Sequence, residues 1–181
     1  NDGSRDATWP AMVDLAQRDR HVTALNLARN FGKEMALSAG LAEARGERVL
    51  IIDADLQDPP ELVKAMMAQM DGGADVVYGL RPDREGEPWW KRATSAAFYR
   101  VLGWLTDIPI PRDTGDFRLL NRRVVDVLLA MPESHRYLRG LVSWVGFRQE
   151  PIAYRRPPRH AGKTKFTPGK LMALAFDAVS A

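Results

Sequence analysis

The chain has 181 residues, no cysteine and a formal net charge of +3. This length suits one domain with a buried core, and the lack of cysteine excludes disulfides and thiolate metal sites, which fits a cytosolic setting. No apolar run reaches the roughly 20 residues that a membrane-spanning helix needs. Cations crowd toward the end of the chain and predict an anionic partner there. They are Arg155, Arg156, Arg159, Lys163, Lys165 and Lys170.

Helix-like and strand-like patterns alternate through the first 80 residues. Apolar residues recur at helical spacing in some segments, and short β-branched runs mark others. Helices are predicted at 9–18, 31–45 and 60–70, and strands at 22–27, 48–53 and 74–80. Such alternation predicts an α/β fold with a mainly parallel sheet flanked by helices.

The segment 88–105 is predicted to be a long helix rich in aromatic residues. It begins with Trp89, Trp90, Lys91 and Arg92, a combination that suits a membrane interface. There, aromatic rings lie at headgroup depth and cations meet anionic lipid. An aromatic stripe that faces a protein core is the alternative interpretation.

The remaining elements lead to a basic loop. Strands are predicted at 114–120 and 147–155, helices at 122–130, 137–145 and 171–181, and the basic loop at 156–170. We also expect the chain to be a fragment. A turn opens it without a preceding strand, and a helical pattern is still running at Ala181.

The most informative stretch is an acidic turn that follows a buried strand. The aliphatic residues 49–52 lead directly to Asp53, Asp55 and Asp58. Asp58 precedes two prolines and is predicted to cap the helix that they begin. Asp53 and Asp55 lie where open α/β sheets bind ligands, and Mg²⁺ and Mn²⁺ choose oxygen ligands. We expect a turn at Asp55, so that one carboxylate binds the cation directly; surface acids without a ligand are the alternative.

Five motifs stand in order along nearly the whole chain. They are residues 1–6, 29–33, 53–61, 115–120, and 139–141 with 144–147. Together they resemble the polyprenyl-phosphate branch of the family 2 glycosyltransferases. Dolichol-phosphate mannose synthases and bacterial undecaprenyl-phosphate glucosyltransferases belong to that branch.

The resemblance implies the glycosyltransferase A-type α/β fold and the transfer of a sugar, with inversion, from a nucleotide diphosphate to a lipid phosphate. By this resemblance Asp2 recognises the nucleotide base, and Asp53 and Asp55 bind the ribose and the metal-bound diphosphate. Gln57 could complete the shell of a Mg²⁺ or Mn²⁺ ion. The family also has a first strand that is missing here. We therefore expect a catalytic domain over residues 1–155 and a basic loop with a juxtamembrane amphipathic helix over 156–181.

Asp116 is the usual candidate for the catalytic base in the family that the chain resembles. A phosphate acceptor with a second pKa near 6 is already largely dianionic at neutral pH, so it needs little deprotonation. Asp116 could instead orient the acceptor or stabilise positive charge on the sugar, with Arg118 holding the lipid phosphate bidentately. A structural Asp–Arg pair that braces the strand is the third interpretation.

Other cations are predicted to neutralise the diphosphate that leaves. Arg81 directly follows the predicted strand 74–80, while Arg159, Lys163 and Lys165 lie on the basic loop. Closure of that loop over the phosphates would exclude water. A solvated turn or a contact with lipid headgroups is the alternative.

The predicted function is that of a metal-dependent hexosyltransferase acting on an undecaprenyl or dolichyl phosphate. UDP-glucose is the preferred donor and GDP-mannose the second candidate. The predicted location is the cytoplasmic face of a bacterial inner membrane, where the enzyme would serve cell-envelope glycosylation; homo-oligomerisation is left open. The alternatives are a family 2 transferase with a soluble or polysaccharide acceptor, and a non-catalytic basic module that binds anionic lipid or nucleic acid. Nucleic acid is not expected, because only Tyr154 and Phe166 could stack near the basic loop.

Overall fold

A computed structural model describes residues 1–80, 114–133 and 136–154. The chain divides into two compact units, Asn1–Arg45 and Gly46–Ala181. The described residues form five α-helices and four strands. The helices are α1 (Thr8–Arg18), α2 (Lys33–Glu43), α3 (Val63–Asp71), α4 (Arg122–Ala130) and α5 (Leu138–Trp144). The strands are β1 (Arg48–Ile51), β2 (Val76–Leu80), β3 (Thr114–Asn121) and β4 (Gln149–Ala153).

The first unit contains α1 and α2, both close to their predicted bounds. The strand predicted at 22–27 is wrong, because no strand ladder forms along this segment in the described part of the chain. Its backbone instead bonds to Asn1 at two points. The Asn1 amino group donates to the Leu25 carbonyl oxygen at 2.6 Å, and the Leu27 N–H donates to the Asn1 carbonyl oxygen at 3.0 Å. A strand needs a partner along its length, and one residue cannot supply it.

The second unit contains the sheet, whose strands lie in the order β1-β3-β2-β4. β2 and β4 pair in parallel, whereas β3 lies between β1 and β2 and pairs antiparallel with both. Three of the four described strands therefore run in one direction. The predicted α/β class is confirmed. The sheet is mixed because β3 separates two strands that a simple βαβ crossover would have made neighbours.

Alternation along β3 gives the sheet two buried faces. Phe117 and Leu119 join Val77 of β2 in a hydrophobic cluster with the α3 residues Met66 and Met70. The alternate residues of β3, at 116, 118 and 120, are also buried and point to the opposite face. α4 packs against β1, β3 and α5. Burial on both faces explains the largely apolar run of β2.

Asp75 joins three elements at the end of the sheet where β2 begins. Its carboxylate accepts hydrogen bonds from the Asn121 side chain at 2.7 Å, the Arg123 guanidinium at 2.8 Å and the Arg148 backbone N–H at 3.2 Å. Burial raises the pKa of the Asp75 carboxyl, but these bonds and the Arg123 charge outweigh it and lower the pKa below its usual value. Asn121 also caps α4, accepting from the Val124 N–H at 2.9 Å.

Candidate active site

Polar residues from three strands meet at one edge of the sheet. β1, β2 and β4 run in the same direction, so their carboxyl ends lie at this edge, and β3 begins there. Asp53 and Asp55 follow β1, Asp116 lies near the start of β3, and Tyr154 follows β4. The last rung of the β1–β3 ladder joins Ile51 to Arg118, so Asp53 and Asp116 both lie just beyond it. This is the edge at which open α/β sheets bind ligands.

The acidic turn after β1 has a strained backbone. The predicted strand 48–53 is two residues too long, since β1 ends at Ile51. The Asp55 carboxylate accepts a hydrogen bond from the Gln57 backbone N–H at 3.2 Å, which closes the expected turn. Between them Leu56 has φ of 59° and is 71 % exposed. A leucine in this left-handed region is uncommon, and such strain concentrates at functional sites.

Asp58 is buried rather than exposed at a helix end. The residue before the 3₁₀ turn Pro60–Leu62 is Pro59, and no side chain caps that turn, so the predicted capping role of Asp58 is wrong. Asp58 is 1 % exposed and accepts a hydrogen bond from the Tyr154 hydroxyl at 2.5 Å. This bond ties the acidic turn to the end of β4, where the basic segment of the chain begins.

The Tyr154 ring is held by close packing beneath this hydrogen bond. It meets Phe117 edge to face, with centroids 5.5 Å apart and planes at 66°. Gly79 of β2 makes room for the pair, because a Cβ there would lie 2.6 Å from Tyr154 Cε1 and 2.9 Å from Phe117 Cδ1. Packing against Phe117 and Gly79 therefore fixes the orientation of the Tyr154 ring and its hydroxyl group.

Asp116 forms a bidentate ion pair with Arg139, from the first turn of α5. Arg139 Nε and Nη2 donate to the two Asp116 carboxylate oxygens at 2.5 and 3.1 Å. The Asp116 side chain is 6 % exposed and that of Arg139 28 %. Arg118, on the same strand face as Asp116, is buried and donates to the Gly115 carbonyl oxygen at 3.1 Å. Sequence reasoning included Arg139 in a motif but gave it no role.

The residues after β1 suit a hard divalent cation. The described part of the chain contains no group of three or more His, Cys, Asp or Glu side chains that could hold a metal ion. Mg²⁺ is commonly bound by one or two carboxylates together with substrate phosphates and water. Asp53 and Asp55, both half-buried, offer that oxygen donor set, while Gln57 is buried. The donor set therefore fits the predicted metal without a third acid.

Asp2 lies in the first unit, where its carboxylate closes a turn. It accepts hydrogen bonds from the backbone N–H groups of Phe31 and Gly32 at 2.6 and 2.9 Å, just before α2. Gly3 has φ of 70°, and a Cβ there would lie 2.7 Å from the Asn30 nitrogen. Two of the sequence motifs thus meet in space. Recognition of the base by Asp2 stays a prediction.

Several predicted site residues lie outside the described residues. These are Arg81, Trp89, Trp90, Lys91, Arg92, Arg159, Lys163 and Lys165, together with the predicted helices at 88–105 and 171–181. Their proposed contacts with diphosphate or membrane stay predictions. Of the helices in the part of the chain that the structure describes, none has the length and apolar character to span a bilayer.

Comparison with known proteins identifies the family. The model for glycosyl transferase family 2 matches residues 1–129. An uncharacterized glycosyltransferase of Synechocystis sp. strain PCC 6803 is 47 % identical over 179 residues, and the uncharacterized glycosyltransferase YkcC of Bacillus subtilis is 44 % identical over 180. A prophage bactoprenol glucosyl transferase homolog of Escherichia coli is 41 % identical over 180 residues.

The chain therefore belongs to glycosyl transferase family 2. Each of these alignments covers 99 % of this chain, and the chain spans 56 to 59 % of the length of these relatives. The family predicted from the five motifs is confirmed. Membership also supports the predicted glycosyltransferase A-type fold, of which the described α/β sheet is a part.

Proposed function

We propose that this protein transfers a hexose from a nucleoside-diphosphate sugar to a polyprenyl phosphate. The observation that carries the proposal is the meeting, at one sheet edge, of the acidic turn after β1 with the buried Asp116 and Arg118 and the partly exposed Arg139. In this proposal the turn would hold a metal-bound diphosphate, and the cationic residues near the start of β3 would hold a second phosphate. The relative named as a bactoprenol glucosyl transferase homolog supports a lipid acceptor and glucose, so UDP-glucose is the preferred donor and GDP-mannose the second candidate.

The donor would bind at the acidic turn. Asp53 and Asp55 would hold Mg²⁺ or Mn²⁺, with Gln57 as a further oxygen donor, and the ion would act as a Lewis acid at the departing diphosphate. Asp2 would recognise the base. The cations outside the described residues, Arg81, Arg159, Lys163 and Lys165, would neutralise the remaining phosphate charge.

The transfer step would need no proton acceptor. A phosphate oxygen of the acceptor attacks the anomeric carbon from the face opposite the leaving group. The bond between that carbon and the diphosphate oxygen breaks, and its electron pair leaves with the nucleoside diphosphate, so the configuration inverts. A phosphate with a second pKa near 6 supplies an anionic oxygen at neutral pH. Arg118 would hold that phosphate, and the charge of Asp116 would be required for transfer.

The acceptor lipid implies action at a membrane surface. Trp89, Trp90, Lys91 and Arg92 would lie at the interface, and the basic loop 156–170 would meet anionic headgroups on the cytoplasmic face of a bacterial inner membrane. This arrangement would bring the lipid phosphate to the carboxyl edge of the sheet.

A transfer assay with the full-length gene product tests this proposal. Liposomes containing undecaprenyl phosphate, radiolabelled UDP-glucose or GDP-mannose, and Mn²⁺ should yield a labelled lipid, and EDTA should stop the reaction. Asp53→Ala should abolish metal-dependent donor binding in calorimetry, whereas Asp126→Ala, which changes an exposed acid of α4, should not. Asp116→Asn should lower the rate of transfer far more than nucleotide-sugar affinity.

The same assay separates the alternative functions. Labelled polysaccharide without labelled lipid would replace the lipid acceptor by a soluble one. Liposome or nucleic-acid binding that is indifferent to nucleotide sugar, with no transfer to any acceptor, would instead identify a non-catalytic basic module. Unchanged metal and nucleotide affinity in Asp53→Ala would defeat the assignment of the metal site.

A further inference from the structure

The Asp116 carboxylate is placed for holding a cation rather than for taking a proton. Each of its oxygens accepts a hydrogen bond from Arg139, through Nε at 2.5 Å and through Nη2 at 3.1 Å. The side chain is only 6 % exposed. A general base must present a lone pair within hydrogen-bond reach of the proton that it abstracts. In Asp116 both carboxylate oxygens already accept from the Arg139 guanidinium group, in a bidentate pair.

Two guanidinium groups are anchored to adjacent residues at the start of β3. Arg118 is anchored by the carbonyl oxygen of Gly115, and Arg139 by the side chain of the next residue, Asp116. Together the two guanidinium groups and the Asp116 carboxylate have a formal charge of +1. Arginine forks in fixed orientations match the oxygens of a phosphate. The Arg139 side chain also keeps 28 % of its surface exposed, so part of it can meet a ligand.

We infer that Arg139 contacts the phosphate of the polyprenyl acceptor together with Arg118, and that Asp116 is a positioning residue that orients Arg139. This inference rests on the proposed transfer to a polyprenyl phosphate. The attacking phosphate oxygen needs to be held in line with the anomeric carbon, and two anchored guanidinium groups supply that orientation. The need for a charge at Asp116 then follows without any proton transfer.

Steady-state kinetics of the full-length protein with undecaprenyl phosphate and the active nucleotide sugar test the inference. Arg139→Met and Asp116→Asn should each raise the KM for the acceptor about 10- to 100-fold, the worth of a charge-assisted phosphate contact. The KM for the nucleotide sugar should be unchanged. The double variant should have the same acceptor KM as Arg139→Met, because the two changes remove the same contact with the phosphate. Arg139→Lys should restore part of the acceptor affinity.

A matched control comes from the segment just before α5. Arg136 donates to the carbonyl oxygens of Met131 and Glu133 at 2.8 and 3.3 Å. Arg136→Met removes the same charge and should leave the acceptor KM unchanged. Calorimetric binding of farnesyl phosphate, with farnesol as the ligand lacking phosphate, gives a readout that needs no turnover. Arg139→Met should weaken the binding of farnesyl phosphate, and Arg139→Lys should weaken it less. Neither variant should change the binding of farnesol.

Two patterns would overturn the inference while leaving the proposed function intact. If Asp116 is the base, Asp116→Asn lowers kcat with a normal acceptor KM, and Arg139→Met stays active with the acid limb of its pH profile moved to higher pH. If Arg139 serves the donor, the KM for the nucleotide sugar rises instead. A wild-type protein that transfers hexose to no polyprenyl phosphate would defeat the proposed function itself.

Discussion

Removal of one hydroxyl group, in Tyr154→Phe, should destabilise the second unit measurably. The lost group donates at 2.5 Å to Asp58, which is 1 % exposed. A hydrogen bond to a charged group contributes about 1.5–3 kcal/mol, and a buried acceptor that loses its donor is costly. The phenylalanine ring can keep its edge-to-face packing on Phe117. We therefore expect a loss of about 2 kcal/mol in the free energy of unfolding, or about 4–8 °C in Tm.

Urea unfolding followed by fluorescence measures this loss. Tyr78→Phe, which removes the same atom from a half-buried tyrosine of β2, is the matched control and should change little. A double-mutant cycle with Asp58→Ala isolates the pair, since Tyr154→Phe should cost nothing more once the carboxylate is gone. An unfolding midpoint for Tyr154→Phe equal to that of the wild type would refute the argument, as would full additivity in the cycle.

Three further predictions concern stability. Asp75→Ala should lower the free energy of unfolding by about 2–4 kcal/mol, because it removes three hydrogen bonds. Since the pKa of Asp75 is lowered in the folded state, this stabilisation of the wild type is complete above the unfolded pKa, near 4, and is lost as the pH falls through the folded pKa. Urea unfolding of both proteins across that pH range measures the difference. Gly79→Ala should lower the free energy of unfolding by about 1–3 kcal/mol, because the new Cβ overpacks the core. Gly40→Ala in α2 is the control: nothing lies within 4 Å of its new Cβ, so it should be neutral or stabilising by up to about 1 kcal/mol. Equal Tm values for the two variants would contradict this prediction. Leu56→Asn should raise the free energy of unfolding by about 0.5 kcal/mol, since asparagine tolerates positive φ, and a clear loss would show that the leucine is unstrained.

The predicted local elements agree closely with the structure where the pattern is strong. α4 and β2 fall within two residues of prediction, because their apolar spacing records the faces that they bury. The segment 22–27 has an equally strand-like composition and forms no ladder in the described residues. The prediction fails because no described strand pairs along this segment, and a local pattern does not show whether such a partner exists.

The sequence by itself determined the α/β class, the family and the position of the acidic turn. Local periodicity and motif spacing are written directly in the residues. It also singled out Asp53, Asp55 and Asp116 by their types and order.

Only the tertiary structure decided which of these side chains meet. In the folded chain β3 lies antiparallel between β1 and β2. Asp116 pairs with Arg139, 23 residues away, and Asp58 bonds to Tyr154, 96 residues away. The physical reason is that buried charges and hydroxyl groups must find partners, and packing rather than sequence distance decides which groups are within reach.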